Sequence, residues 1–157
     1  PKLKNKEKVM KIAIGSDHRG LAHKSHLIAS CVSTQSMIID WVDCGCHSLS
    51  CDYPRQAVAV VEHIRSQACS AGVLLCGTGI GMAIAANRFK GIYAALVWTP
   101  DIARLSRQHE NANILVIPAD YVSLPQMTVM IKVWLESSFE GGRHARRIGE
   151  IDSLGGA

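Results

Sequence analysis

Short apolar runs alternate along the chain with longer stretches in which apolar residues recur every three or four positions. The short runs predict five buried strands: Lys11–Gly15, Met37–Trp41, Gly72–Cys76, Ile92–Trp98 and Asn113–Ile117. The longer stretches predict helices between and after the strands: Leu21–Val32, Pro54–Ala68, Gly81–Arg88, Pro100–His109, Leu124–Leu135 and Arg143–Ile151. Strands that are apolar throughout are typical of a parallel sheet covered on both faces. The pattern therefore predicts an α/β fold, a Rossmann-like three-layer α/β/α sandwich around a five-stranded parallel sheet.

The composition fits one globular domain that lacks a strongly charged surface. The 157 residues are 48% apolar, and 17 Lys and Arg against 13 Asp and Glu give a net charge of +4. Four lysines lie in the first eight residues, so we expect residues 1–10 to be a disordered basic lead or a non-native tail. Residues 11–157 then form a single, nearly neutral domain, which argues against nucleic acid as a partner. No apolar run approaches the roughly 20 residues of a membrane span, so we expect a soluble protein.

Six cysteines raise the question of disulfides or a metal site. The chain is longer than most disulfide scaffolds and starts with a charged segment instead of a signal peptide, which favours reduced thiols and a cytoplasmic location. Cys44, Cys46, His47 and Cys51 lie close in sequence, but the second pair of ligands that zinc sites usually contain is missing. We therefore expect no metal here.

The loop after the third strand, CGTGIG at 76–81, is the strongest candidate for chemistry, because ligands bind beyond the carboxyl ends of parallel strands. Its glycines let backbone amides approach a ligand, so the loop suits a phosphate or a developing oxyanion. Cys76 is either a base in that field or a small buried apolar residue. A dinucleotide site would need G-x-G-x-x-G after the first strand and an acidic residue ending the next strand, and a P-loop would need Lys followed by Ser or Thr.

Three further groups each have a structural and a functional interpretation. Asp17 and His18 follow the first strand, where Asp17 either orients a substrate hydroxyl or caps the next helix. His109 precedes the fifth strand as a general acid/base or a surface residue. Arg143 and Arg147 lie four residues apart on a predicted helix and either bind a phosphate or form a solvated basic face.

Taken together, these segments resemble one family. IAIGSDHRG at 12–20, DYP at 52–54, GVLLCGTGIGMAIAANR at 72–88, LSRQHENAN at 105–113 and EGGRHARRI at 140–148 occur in the order found in ribose-5-phosphate isomerase type B. This enzyme belongs to the ribose/galactose sugar-phosphate isomerase family. The resemblance implies reversible isomerisation of ribose 5-phosphate and ribulose 5-phosphate in the pentose phosphate pathway, through a cis-enediolate and with no cofactor, neither a metal nor a nucleotide.

Two other functions stay open at this point. The same chemistry could act on a hexose phosphate, such as galactose 6-phosphate or allose 6-phosphate. Alternatively, the chain could be a non-catalytic domain that binds a sugar phosphate or a nucleotide. Cys76 favours catalysis, since a phosphate-binding loop has no need for a thiol.

The resemblance also implies roles for individual residues. Cys76 would remove the proton from the carbon next to the carbonyl with help from Thr78, and His109 and Asp17 would open the sugar ring. The other implied residues would bind the substrate, with glycine amides on the enediolate oxygens and His18 and the two arginines on the phosphate: His18, Tyr53, Gly77, Gly79, Gly81, Asn111, Arg143 and Arg147. The family builds this site at a homodimer interface, so a second copy of the chain, in a dimer or tetramer, is the expected partner besides the sugar phosphate.

The chain departs from the family pattern at two positions. Glu110 stands where the family commonly has an asparagine that stabilises the oxyanion, so either Glu110 points away or Asn111 replaces that asparagine. Asp120 stands where members often have a phosphate-binding arginine, and a carboxylate cannot bind phosphate.

Overall fold

A computed structural model of the chain describes residues 8–30, 32–47 and 50–155. Strands and helices alternate along these residues as the apolar pattern predicts. The strands are β1 (Lys8–Ser16), β2 (Met37–Asp43), β3 (Ala71–Cys76), β4 (Ala94–Leu96) and β5 (Ile114–Pro118). The helices are α1 (Leu21–Ala29), α2 (Tyr53–Arg65), α3 (Ile80–Ala86), α4 (Pro100–Glu110), α5 (Leu124–Glu136) and α6 (Arg143–Asp152).

The strands form one parallel sheet in the order β2-β1-β3-β5-β4. Successive side chains of a strand point to opposite faces, and each face has its own apolar core. Ile12, Val73 and Leu115 pack on one face with residues of α1, α4 and α5. Leu74 and Cys76 pack on the other face with residues of α2 and α3. The predicted three-layer α/β/α sandwich is confirmed.

Two strands differ most in length from the prediction, β1 and β4, each by four residues. β1 begins at Lys8, so residues 8–10 belong to the sheet and not to a lead, because Lys8 to Met10 pair with β2 from Met37 onward. Residues 1–7 lie outside the described part of the chain. At the edge of the sheet, β4 spans only Ala94–Leu96, and the side chain of Asn87 bonds both backbone groups of Ala94 at 2.8 Å.

The loop after β2 contains a disulfide between Cys46 and Cys51, with Cα atoms 5.8 Å apart. The expectation of reduced thiols is therefore wrong for this pair, whose proximity depends on how the chain turns between β2 and α2. The disulfide also removes two of the four side chains considered as metal ligands. Among the described cysteines, Cys44, Cys69 and Cys76 are free.

Among the described residues, no helix combines the length and the apolar composition needed to cross a bilayer.

Candidate active site

The carboxyl ends of β1, β3 and β5 lie side by side. Ser16 pairs with Leu75, and Cys76 pairs with Pro118. The turns that follow stay bonded together, since the Asp17 amide donates to the Leu75 carbonyl at 3.1 Å and the Ala119 amide to the Cys76 carbonyl at 2.8 Å. The loops that the sequence singles out after β1 and β3 therefore form one surface.

Cys76 is buried at the centre of this surface, with 5% of its area exposed. Its Sγ accepts a hydrogen bond from the Gly79 amide at 3.1 Å, so the glycine loop curls around the sulfur. Gly79 has φ +75°, in the left-handed region, and a Cβ there would also collide with Leu96. The loop conformation that brings an N–H to the thiol therefore depends on glycine.

Cys44, by contrast, is poorly suited to act as a thiolate. Burial, followed by the neighbouring Cys69, raises the pKa of Cys44 to about 11. Its Sγ lies 3.6 Å from Nδ1 of His63, in the last turn of α2.

The other two glycines of the loop are covered by side chains. A Cβ on Gly81 would lie 2.7 Å from the ring of Tyr53, so the first residue of α2 packs directly on the loop. A Cβ on Gly77 would overlap the guanidinium of Arg19. The predicted substrate-binding residue Tyr53 is therefore beside the Cys76 loop, although DYP and CGTGIG are far apart in sequence.

Asp17 is buried, with 6% of its area exposed. Its Oδ1 accepts hydrogen bonds from the amides of Arg19 at 2.9 Å and Gly20 at 3.1 Å. The Asp17 carboxylate therefore holds the turn before α1, but it does not cap the helix, whose N-cap residue is Gly20. His18 and Thr78 are exposed on the same surface, and Thr78 Oγ1 accepts from the Ile80 amide at 3.4 Å.

Sequence reasoning did not single out Arg19, which forms an ion pair with Asp120 across the glycine loop. The Asp120 amide donates to the Gly77 carbonyl at 3.1 Å, so both partners contact the loop next to Cys76. A signal was available, because a cation follows β1, an anion follows β5, and loops at the carboxyl ends of parallel strands converge. The carboxylate that departs from the family pattern thus has a cationic partner.

The remaining predicted residues lie at the other end of the strands, where β5 begins. Helix α4 begins after the carboxyl end of β4 and returns to the amino end of β5, so His109 and Asn111 lie near Ile114. Ile114 and Pro118 bound a five-residue strand, about 13 Å long at the usual rise per residue. Within one chain, His109 therefore cannot reach the thiol of Cys76.

Helix α6 brings the two arginines to this second group, because it packs against α4. Arg143 and Arg147 are exposed, one turn apart. Asn111 ends α4 with φ 49°, a left-handed conformation that asparagine tolerates well. Glu110 is exposed and lines a groove of about 930 Å³ between β4 and α6, which no residue of the Cys76 surface lines.

In the part of the chain that the structure describes, one cluster has ligand atoms close enough for a metal ion: His109, Glu140 and His144, within 4.8 Å of one another. The two imidazole rings are stacked, with centroids 4.2 Å apart and planes at 7°. A metal ligand points its lone pair at the ion in the plane of its own ring, and two parallel stacked rings do not converge on one ion in that way. This arrangement does not fit a metal centre.

The family of the chain follows from comparison with known proteins. Residues 12–151 match the model of the ribose/galactose isomerase family. The chain belongs to this family. Ribose-5-phosphate isomerase B of Escherichia coli is 37% identical over 147 residues, 92% of this chain and 95% of that enzyme.

Solved structures show the same fold. A ribose 5-phosphate isomerase of Thermotoga maritima superposes with a TM-score of 0.85 at 44% identity, over 92% of this chain and 99% of that one. Ribose-5-phosphate isomerase B of Mycoplasma genitalium, solved with bound ribulose 5-phosphate, has a TM-score of 0.81 at 38% identity, over 90% and 93% of the two chains. The resemblance to type B ribose-5-phosphate isomerases is confirmed, and with it the assignment to the aldose–ketose isomerases.

Proposed function

We propose that this protein interconverts ribose 5-phosphate and ribulose 5-phosphate through a cis-enediolate, with Cys76 as the base. The observation that carries the proposal is the buried Cys76 Sγ, held in a glycine loop at the carboxyl end of β3 with the Gly79 amide donating to it. The ribulose 5-phosphate bound to the Mycoplasma genitalium relative supports a pentose phosphate over a hexose phosphate as substrate.

The proton balance of this reaction needs no cofactor. The Cys76 thiolate takes the proton from C2 of the open-chain aldose, and the electron pair of that bond forms the C1=C2 bond of the enediolate. The proton returns to C1, while a hydroxyl proton moves from O2 to O1, which gives the ketose. Amides of the loop from Gly77 to Gly81, with Thr78 beside them, stabilise the negative charge on the enediolate oxygens.

Opening of the sugar ring precedes this step, because the aldose is mostly cyclic in water. In the proposal, His109 and Asp17 carry the proton transfers of ring opening. His18, Arg143 and Arg147 bind the phosphate, for which the exposed arginines supply two cations one helical turn apart.

A second copy of the chain completes the site in this proposal. Cys76 lies at the carboxyl ends of the strands and His109 at their amino ends. They can therefore act on one sugar only if they come from different subunits. The surface next to the Cys76 loop supports such an interface, since Ile80 and Ile84 on α3 are 55% and 56% exposed one turn apart. The active unit is therefore a homodimer with two sites, each built from both subunits.

The experiment that tests the proposal replaces Cys76 with alanine. We expect kcat for ribose 5-phosphate to fall by about 10²–10⁴ with little change in KM, because the base is lost and the binding groups remain. Cys44→Ser is the matched control and should keep wild-type activity, since the Cys44 thiol contacts His63 at the end of α2 and has no role in the proposed reaction.

Near-normal turnover by Cys76→Ala would refute Cys76 as the base. Galactose 6-phosphate and allose 6-phosphate should be assayed beside ribose 5-phosphate with the wild-type protein. A preference for either hexose phosphate would overturn the pentose assignment and leave the isomerase chemistry intact.

A further inference from the structure

Helix α6 covers His109 with a second histidine. His144, in the first turn of α6, stacks on the ring of His109 with centroids 4.2 Å apart and planes at 7°. The carboxylate of Glu140 lies beside both rings, 3.6 Å from His144 Nε2 and 4.0 Å from His109 Nε2. The Glu140 amide donates to the Gln108 carbonyl at 3.0 Å, which ties this segment to the last turn of α4.

Packing alone does not account for a histidine at position 144. His144 is only 6% exposed, and its Nε2 is buried without a hydrogen-bond partner. Burying a polar atom that makes no hydrogen bond lowers stability, so an apolar side chain would hold the two helices together better. Ile148, one turn later on the same face of α6, is such a residue. The imidazole at 144 therefore points to a role at His109.

The electrostatics keep His144 uncharged. Burial first, and then the neighbouring His109 and Arg143, lower the pKa of His144 below its ordinary value. Glu140 acts in the opposite direction, and Arg147 adds to the lowering. At neutral pH, a neutral flat ring therefore lies against His109, while the half-exposed Glu140 is the negative group next to both rings.

We propose that His144 and Glu140 are positioning residues for His109 in ring opening. The stacked ring of His144 fixes the plane of the His109 imidazole where it projects toward the sugar of the partner subunit. His109 takes the proton of the anomeric hydroxyl and then gives a proton to the ring oxygen. Glu140 stabilises the positive charge that His109 carries between these two transfers. The inference rests on the proposed function, because it assigns His109 to ring opening.

Ring opening can be measured apart from the Cys76 step. Ribulose 5-phosphate has no ring, because the hydroxyl that would close it carries the phosphate. In D₂O the enzyme exchanges the C1 proton of ribulose 5-phosphate through Cys76 alone, and proton NMR follows this exchange. Net conversion of ribose 5-phosphate to ribulose 5-phosphate requires ring opening as well.

Three variants test the proposal. His144→Leu keeps an apolar side chain in the buried position but removes the stacked ring, and His144→Phe keeps a flat ring. Glu140→Gln removes the negative charge. We expect His144→Leu and Glu140→Gln to slow net isomerisation about 10- to 100-fold, as expected for a misplaced catalytic group, with C1 exchange near the wild-type rate. His144→Phe should recover most of the activity that His144→Leu loses. Arg146→Gln, on the exposed face of α6, is the control and should change neither rate.

The outcomes separate this inference from the proposed function. If net isomerisation and C1 exchange fall together in His144→Leu and Glu140→Gln, or neither falls, the positioning roles are refuted. His109→Gln should lose net isomerisation and keep C1 exchange. If it loses neither or both, the ring-opening role of His109 in the proposed function fails as well. Should His144→Leu not fold, His144→Phe and the exposed Glu140→Gln still decide between these outcomes.

Discussion

At the scale of single residues, two glycines on helices or their borders differ sharply in what a side chain would meet. A Cβ on Gly20 would lie 2.7 Å from the carbonyl oxygen of Leu75 and 2.8 Å from its carbonyl carbon, both backbone atoms that cannot move aside. A Cβ on Gly149 in α6 would meet nothing within 4 Å. Gly20 therefore lets α1 start close to β3, which keeps the Asp17 turn next to Cys76.

We expect Gly20→Ala to lower the free energy of unfolding by about 1–3 kcal/mol, as for overpacking in a core. Gly149→Ala should raise it by about 0.5–1 kcal/mol, because alanine loses less backbone entropy in a helix. Urea denaturation of the two variants measures both changes. Equal effects of the two substitutions would contradict the close approach at Gly20.

At the scale of elements, one buried lysine on α1 organises the loop between β2 and α2. Lys24 is 1% exposed, and its Nζ donates to Asp43 Oδ1 at 2.8 Å and to the carbonyls of Gly45 and Cys46 at 2.5 and 3.0 Å. Burial alone would raise the pKa of Asp43, but hydrogen bonds from Lys24 and Gly45 and the charge of Lys24 lower it below 3.8. This lysine ties α1 to the loop that leads to Tyr53.

Lys24→Met should lower the free energy of unfolding at pH 7 by about 2–3 kcal/mol, somewhat less than for a fully buried pair because Asp43 is partly exposed. The lowered pKa of Asp43 means that its contribution is present above the unfolded pKa of about 3.9 and is lost as pH falls through the folded value. The difference between the wild type and Lys24→Met should therefore shrink in acid.

Chemical denaturation from pH 7 down to pH 3 measures this dependence. Lys132→Met, at an exposed position of α5, is the matched control and should stay within about 0.5 kcal/mol of the wild type. A difference between wild type and Lys24→Met that does not change with pH would rule out the ionic contribution of Asp43.

At the scale of the whole molecule, the site residues form two groups at opposite ends of the strands. This arrangement predicts complementation between subunits. Cys76→Ala and His109→Gln should each be inactive alone. Mixed and refolded in equal amounts, they should recover about a quarter of wild-type activity, because half of the dimers are hybrids and each hybrid has one intact site of two. Activity of the mixture is assayed with ribose 5-phosphate.

A second mixture provides the control. Cys76→Ala and Thr78→Val both change the loop after β3, so every site of their hybrids carries one defect. The activity of this mixture should not exceed that of its two components. Absence of rescue in the first mixture, with hybrid dimers detected by native mass spectrometry, would refute a site shared between subunits.

The sequence predicted that the turns after β1 and β3 meet at one surface, because each turn directly follows a strand. To place Asp17 beside the glycine loop needs only the rule that the carboxyl ends of parallel strands lie on the same side of a sheet. Tyr53 came from the family resemblance, and its position on Gly81 follows from how α2 starts. The ion pair between Arg19 and Asp120 was missed, since it joins turns that are distant in sequence and carry no shared motif.

What the sequence by itself determined is the set of elements, the parallel sheet and the loop that holds Cys76, because periodicity of apolar residues reports local burial. Only the tertiary structure decided that His109 stacks on His144, that Cys46 pairs with Cys51, and that the His109 group lies a strand length from Cys76. These contacts depend on the order of the strands in the sheet and on helices that pack against elements distant in sequence. Local patterns do not encode such distances, because many chain paths satisfy the same periodicity.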